Sequence, residues 1–154
     1  MHVQWAWSGG ACLPTLEYVT NFYDRTLDAI NRYNPDLIYF DVTVAPFHDI
    51  SDCGLKIASH FYNKNPRAVM FGKMLNDEQR EALTWDVERG APNEIVEEPW
   101  QTCNCLGNWH YNTSIYERGS YKSATEVIKQ LIDIVSKNGN LLLSIPLRAD
   151  GTYD

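Results

Sequence analysis

The sequence predicts an α/β fold with parallel strands, because short apolar runs alternate with segments of helical periodicity. The clearest strand-length runs are residues 37–42, 68–71 and 141–145. The intervening segments repeat apolar residues every three or four positions, which is typical of helices packed on a sheet. Strand–helix alternation with short links favours a parallel sheet with right-handed crossovers.

The first third of the chain predicts a strand, a long helix and a second strand. Residues 3–7 alternate apolar and mixed side chains before Gly9-Gly10, as in a short strand that ends in a turn. Pro14 opens the helix and Pro35 stops it, since a proline disfavours helix at the residue before it. The apolar face of this helix comprises Leu16, Val19, Tyr23, Leu27 and Ile30.

The middle of the chain predicts shorter elements. Residues 51–63 have helical spacing, residues 76–83 begin with acidic residues that suit a helix N-terminus, and residues 84–87 form a short strand. Residues 90–122 are predicted to be irregular, and their tryptophans argue against disorder. A loop of this length in a compact domain is usually functional.

The last part predicts a capped helix and a strand. Ser123 and Glu126 have the spacing of a capping box, and Asn138-Gly139 supplies a left-handed stop. Residues 141–145 then form an apolar strand ended by Pro146. The near-continuous apolar runs predict strands buried on both faces. About five strands make either an open sheet or part of an eight-stranded barrel, and the pattern alone leaves both possibilities open.

Composition excludes some partners. The chain has 154 residues, 44% of them hydrophobic, with a formal net charge of −7. Nucleic acids and anionic membranes attract basic surfaces, so neither is an expected partner. No apolar run reaches membrane-spanning length, which predicts no membrane insertion. An acidic balance with five Trp and nine Tyr is compatible with a neutral glycan, although most rings are expected in the core.

The cysteines and histidines form no recognisable ligand pattern. Cys12, Cys53, Cys103 and Cys105 lack the spacing of a disulfide framework or a zinc site, so free and mostly buried thiols are expected. The histidines are irregularly spaced. The sequence therefore predicts no metal. No Gly-x-Ser-x-Gly segment is present, which argues against a serine hydrolase of that type.

Two carboxylates lie at the C-terminal ends of predicted strands. In barrels of alternating strands and helices, catalytic residues lie at these strand ends. Asp41 ends the strand at 37–42, and Glu88 follows the strand at 84–87. Glycoside hydrolysis uses two such carboxylates, one on each side of the bond that is cut. The structural alternatives are a helix cap or ion pair for Asp41, and a surface ion cluster of Asp86, Glu88 and Arg89.

Several segments resemble the retaining α-L-fucosidases of glycoside hydrolase family 29. They are residues 35–41, 85–90, 99–103 and, most specifically, 135–151, which contains Ser-Lys-Asn-Gly-Asn-Leu-Leu-Leu. The resemblance implies a partial (β/α)8 barrel of the TIM type. It also implies that residues 1–154 are the C-terminal portion of the catalytic barrel, without its N-terminal strands, and that this chain alone is poorly soluble or inactive.

The resemblance also implies catalytic roles. Asp41 matches the family nucleophile, although Val42 stands where many relatives have glycine. Glu88 is the expected acid/base, and Glu97 and Glu98 are the alternatives. No metal or organic cofactor is required by this chemistry.

Five residues are expected to contact the substrate, a fucosylated oligosaccharide or glycoconjugate. They are Trp7, Tyr39, Lys73, Trp100 and Trp109. The rival interpretations are a non-catalytic carbohydrate-binding relative and another glycosidase specificity on the same barrel. An extracellular, periplasmic or lysosome-like compartment would suit such an enzyme, and the sequence does not indicate an oligomeric state.

Overall fold

The computed structural model describes residues 15–41, 52–73 and 75–153. The chain divides into two compact units, residues 1–83 and residues 84–154. Within each unit the strands pair in parallel and helices alternate with them, so the predicted α/β class is confirmed. The predicted strand at residues 3–7 and the loop after Asp41 lie outside the described residues.

The described part of the first unit contains three helices and two strands. They are α1 (Leu16–Tyr33), β1 (Leu37–Phe40), α2 (Cys53–Lys64), β2 (Val69–Gly72) and α3 (Asp77–Arg80). The register of β1 and β2 runs from Leu37 opposite Val69 to Phe40 opposite Gly72. The residues that follow the two strands, positions 41 and 73, therefore lie at the same edge of this pair.

Helix α1 begins and ends as its sequence predicts. The Thr15 hydroxyl accepts a hydrogen bond from the backbone N–H of Tyr18 at 3.2 Å, which caps the N-terminus. Asn34 takes a left-handed conformation with φ of 44° and its N–H donates to the carbonyl of Ile30. The last helical residue, Tyr33, thus lies two residues before Pro35, and the amide of Asn34 closes the last turn.

The core of the first unit lies between its helices and one face of β1 and β2. The fully buried side chains include Ile30 of α1, Ile57 and Phe61 of α2, and Met70 of β2. Phe40 also belongs to this core. Because side chains alternate along a strand, residues 39, 41, 71 and 73 face away from the helices.

The second unit contains three strands and two helices. They are β3 (Thr84–Glu88), β4 (Trp100–Cys105), α4 (Thr113–Glu117), α5 (Ala124–Ser136) and β5 (Gly139–Ser144). Strand β4 is the middle strand, parallel to β3 on one side and to β5 on the other. Both β4 and α4 lie inside the stretch predicted to be irregular, so that prediction is wrong.

Strand β4 is polar in sequence and yet buried at all six positions. The buried side-chain amide of Gln101 is hydrogen-bonded to both neighbouring strands. Gln101 Nε2 donates to Asp86 Oδ2 at 2.7 Å, and Asn140 Nδ2 donates to Gln101 Oε1 at 3.0 Å. Each residue of this ladder is the register partner of the next. Hydrogen bonds therefore offset the desolvation that burial of these polar groups costs.

Helix α5 has the predicted capping box. In the turn that follows it, Asn138 and Gly139 have separate roles. Asn138 adopts the left-handed conformation, with φ of 65°. Gly139 instead serves close packing, since a Cβ atom there would lie 2.5 Å from the Trp100 ring. The left-handed stop is confirmed at Asn138, while glycine is needed at 139 for space.

The expectation of strands buried on both faces is wrong for β1 and β5, whereas β4 is buried at all six positions. Leu37 of β1 is 50% exposed and Leu142 of β5 is 46% exposed, each on the face opposite its helices. On α5, Ile134 is the one buried residue. Among the described residues, no helix has the length and apolarity needed to span a membrane.

Candidate active site

Three of the predicted site residues meet at the C-terminal ends of β1 and β2. Lys73 Nζ lies 3.0 Å from Asp41 Oδ1, and it stands 5.7 Å from the centre of the Tyr39 ring. The Lys73 side chain is 6% exposed, whereas that of Asp41 is 58% exposed. The cluster therefore combines a buried cation with a carboxylate that solvent reaches.

The strand pattern explains why these residues meet. Tyr39 and Asp41 are two positions apart and share the face of β1 that points away from α1 and α2. Lys73 follows Gly72, which is the register partner of Phe40. A buried ammonium needs compensation, and here the carboxylate and the electron-rich ring face supply it. The Lys73 ammonium and the Asp41 carboxylate therefore compensate each other's charge.

Glu88 lies at the corresponding end of the second unit. It is the last residue of β3 and is exposed. Its register partner is Cys103 on β4, and both belong to the face that carries the Asp86–Gln101 ladder. Trp100 faces the other way, towards Ile134 of α5. Glu88 therefore stands at a C-terminal strand end, on the face opposite the helix.

The predicted surface ion cluster of Asp86, Glu88 and Arg89 is not what the structure contains. Asp86 is buried and accepts a hydrogen bond from Gln101. The Arg89 guanidinium contacts β4 and the loop that follows it. Nη2 lies 3.5 Å from Cys105 Sγ, and Cζ lies 4.9 Å from the centre of the Trp109 ring. The sequence indicated Arg89 only as a member of that ion cluster. Its contact with Trp109 was not predicted.

Trp109 is held near the same end of β4 by a closely packed loop. Leu106 N–H donates to Ser144 O at 3.0 Å, and Lys122 N–H donates to Leu106 O at 2.9 Å. A Cβ atom at Gly107 would lie 2.9 Å from both Ile115 and Tyr121, so only glycine fits there. Trp109 follows two residues later, half-buried, with its ring against Arg89.

Trp100 does not occupy a position suited to substrate. It is 1% exposed, and its indole N–H donates to Lys137 O at 2.8 Å. It begins β4 and is the register partner of Gly139, so it lies at the N-terminal strand end, where barrel residues serve stability. The expectation that Trp100 contacts a sugar is corrected by this burial, because no ring face remains for a ligand.

The two alternative acids also lie at the N-terminal end of β4. Glu97 and Glu98 are exposed and precede this strand. The carbonyl of Glu97 accepts a hydrogen bond from Asn138 Nδ2 at 2.8 Å, which ties it to the turn before β5. Glu88 is the acid at the opposite, C-terminal end. Trp7, the remaining predicted contact, lies outside the described residues.

Three of the four cysteines lie within the described residues. Cys53, Cys103 and Cys105 are buried thiols outside any disulfide, as expected. Burial is the main cause that raises the pKa of the Cys53 thiol, followed by the nearby Asp52 carboxylate. Across the described ranges, no three His, Cys, Asp or Glu side chains come close enough to hold a metal ion.

The sequence of residues 3–154 matches the family profile described as alpha-L-fucosidase. The chain belongs to the α-L-fucosidase family. A curated relative, plasma alpha-L-fucosidase of Rattus norvegicus, is 33% identical over 66 residues, which are 42% of this chain and 14% of that protein.

Solved α-L-fucosidases have the same fold. One has a TM-score of 0.74 at 23% identity and is matched over 91% of this chain and 31% of its own. Another, from Bacteroides thetaiotaomicron, has a TM-score of 0.72 at 16% identity over 90% of this chain and 36% of its own. That enzyme was trapped as a covalent intermediate with 2-fluoro-fucosyl fluoride. The predicted partial TIM-like barrel is thereby confirmed, and the chain spans about a third of the length of these fucosidases.

Proposed function

We propose that this chain is the C-terminal portion of the catalytic barrel of a retaining, exo-acting α-L-fucosidase. The enzyme would release terminal L-fucose from fucosylated oligosaccharides or glycoconjugates, and strands supplied by further sequence would complete the barrel. The observation that carries the proposal is the Tyr39–Asp41–Lys73 cluster at the C-terminal strand ends of a chain whose family is α-L-fucosidase.

Asp41 is the proposed nucleophile. One of its carboxylate oxygens forms a bond to the anomeric carbon of fucose while the bond from that carbon to the glycan oxygen breaks. The product is a fucosyl ester on Asp41. Lys73 Nζ donates a hydrogen bond to Asp41 Oδ1 at 3.0 Å, which would hold the carboxylate in place for attack. The covalent intermediate named for the B. thetaiotaomicron relative supports this route.

Glu88 is the proposed acid/base. It donates its proton to the departing glycan oxygen and later takes a proton from the water that cleaves the ester, so each turnover restores both carboxyl groups. Its place at the C-terminal end of β3 supports this role. Glu97 and Glu98 are disfavoured, because they precede β4 at the opposite end.

Tyr39, Lys73 and Trp109, together with Trp7, are the proposed substrate contacts. The two described rings can cover the apolar C–H face of a sugar, and the Lys73 ammonium can donate to hydroxyl groups. The chemistry requires no metal or organic cofactor.

The test is release of 4-nitrophenol from 4-nitrophenyl α-L-fucoside. It compares this chain with the protein made from its complete reading frame, and it includes Asp41→Asn in the longer form. Asp36→Asn is the matched control, because Asp36 is an exposed aspartate at the other end of β1. We expect activity in the longer protein, its loss in Asp41→Asn and its retention in Asp36→Asn.

The stereochemistry is read by proton NMR of the first-formed fucose, which should keep the α configuration. Addition of azide to an Asp41→Gly variant should yield a β-fucosyl azide, because azide then replaces the missing carboxylate. Full turnover by Asp41→Asn, or inverted product from the native enzyme, would contradict the proposal. A folded protein that binds L-fucose without turnover would favour the carbohydrate-binding alternative.

A further inference from the structure

The backbone at Arg89 departs from the strand in an unusual way. Its φ is 52°, in the left-handed region that side chains other than glycine and asparagine rarely adopt. Its N–H still donates to Cys103 O at 3.0 Å, so the β3–β4 ladder continues through this residue. Backbone strain of this kind collects at functional sites, where the surrounding structure maintains it.

The consequence of this conformation is the direction of the side chain. Continued strand alternation would place residue 89 on the helix side of the sheet, opposite Glu88. Instead Arg89 Nη2 lies 3.5 Å from Cys105 Sγ. Cys105 shares the face of Gln101 and Cys103, which is also the face of Glu88. The turn therefore brings the guanidinium to the side of the sheet that holds the proposed acid.

The guanidinium then stacks on Trp109, with Cζ 4.9 Å from the ring centre. The loop before Trp109 is anchored at Leu106 and Gly107, and Asn108 Oδ1 accepts the N–H of Trp109 at 2.8 Å. These contacts hold the backbone, whereas the Arg89 contact holds the ring. A planar guanidinium suits this task, because it can stack on an indole while it donates a hydrogen bond sideways.

We propose that Arg89 is a positioning residue that holds the Trp109 ring as a sugar-binding platform beside Glu88. The sugar contact rests on the proposed function, while the positioning of Trp109 by Arg89 does not. Glycine would adopt φ of 52° without strain, so an arginine at this position is explained by its side chain.

The experiment uses the protein from its complete reading frame and three variants, Arg89→Gly, Arg89→Lys and Arg118→Gly. Arg118 is the matched control, because it is an exposed arginine of the same unit at the end of α4 and has no contact with Trp109 among the described contacts. The first readout is the near-ultraviolet circular dichroism band of Trp109, defined by subtraction of the Trp109→Phe spectrum. It requires no activity.

We expect Arg89→Gly to lose this band and Arg118→Gly to keep it. Arg89→Lys should retain part of it, because an ammonium stacks less well than a planar guanidinium. The second readout is affinity for L-fucose and the KM for 4-nitrophenyl α-L-fucoside. In Arg89→Gly the affinity should fall and the KM should rise, each about 3- to 10-fold, which is the range expected for a lost cation–π contact. The pH profile of kcat should stay unchanged.

Three results would each overturn a different part of the inference. If Arg89→Gly and Arg89→Lys both keep the Trp109 band and native affinity for fucose, Arg89 does not position the ring. If the band is lost but the unsubstituted protein binds no fucose, Arg89 still positions Trp109, and the sugar-binding role fails together with the proposed function. A fall in thermal stability alone, with band and affinity intact, would assign Arg89 a merely structural role.

Discussion

Lys73 and Asp41 form an ion pair in which only the lysine is buried. Their side chains are 6% and 58% exposed, and the two charged atoms lie 3.0 Å apart. The lysine gains most from the contact, because a buried ammonium is costly without a partner. The carboxylate stays accessible to solvent. The pair therefore ties the packing of β2 to the chemistry proposed at the end of β1.

Replacement of Lys73 by methionine should reduce kcat/KM about 10²-fold, the scale on which single electrostatic contacts act in active sites. Methionine retains an unbranched apolar chain in the buried position and removes only the charge. Lys73→Arg should keep more activity. The measurement is fucoside hydrolysis by the protein from the complete reading frame.

The control for this substitution is Lys56→Met. Lys56 forms a comparable ion pair with Asp52, but both side chains are more than half exposed, and exposed pairs contribute little. Its activity should equal that of the native enzyme. Equal activity of Lys73→Met and native enzyme would show that the buried cation has no part in catalysis.

Helix α5 should make stability depend on pH through Glu126. The hydrogen bonds from the Ser123 hydroxyl and backbone lower the pKa of Glu126, because they favour its charged form. A lowered pKa in the folded state adds stability at neutral pH, and this contribution is lost as the pH falls through the folded pKa, below the ordinary glutamate range. Thermal unfolding of the native protein and of Glu126→Gln, between about pH 7 and pH 3, tests this expectation.

Glutamine can still close the capping box but does not titrate in this range. The difference in Tm between the two proteins should shrink or reverse on acidification. A Tm difference that is constant with pH would contradict the role of the Glu126 charge.

Elements with a strong local signal could be predicted from the sequence. Helix α1 has an apolar face and clear caps, and α5 has its capping box. Strand β4 could not be predicted, because its burial depends on hydrogen bonds between residues 15 and 39 positions apart in sequence. A polar strand of this kind resembles a loop until its partners are known.

The candidate site was predictable only in part. Strand alternation alone puts Tyr39 and Asp41 on one face of the strand, but the burial of Lys73 against them depends on register. The substrate contact expected of Trp100 is wrong, because it lies buried at the N-terminal end of β4. An aromatic residue in a segment predicted to be irregular gives no sign of which strand end it occupies. The contact of Arg89 with Trp109 depends on a positive φ at an arginine, for which the sequence holds no signal.

Substitution of Gly139 should test the structural role of Trp100. A Cβ atom at this position would lie 2.5 Å from the Trp100 ring and 2.8 Å from Ile134, so Gly139→Ala must displace core atoms. Overpacking of this kind costs about 1–3 kcal/mol. Urea unfolding should show the loss, while the KM of folded protein for the fucoside stays unchanged. Gly90→Ala is the control, since the nearest atom would lie at 3.4 Å.

The separation of the Asp41 and Glu88 carboxyl groups should decide the mechanism in a crystal structure of the protein from its complete reading frame. A retaining glycosidase holds its two carboxyl groups about 5–5.5 Å apart, because the nucleophile itself contacts the anomeric carbon. An inverting enzyme needs about 6.5–9.5 Å to admit a water molecule. We expect the shorter separation, with Glu97 and Glu98 at the other end of the barrel. A glutamate other than Glu88 at retaining distance from Asp41 would transfer the acid/base role to that residue and leave Asp41 as nucleophile.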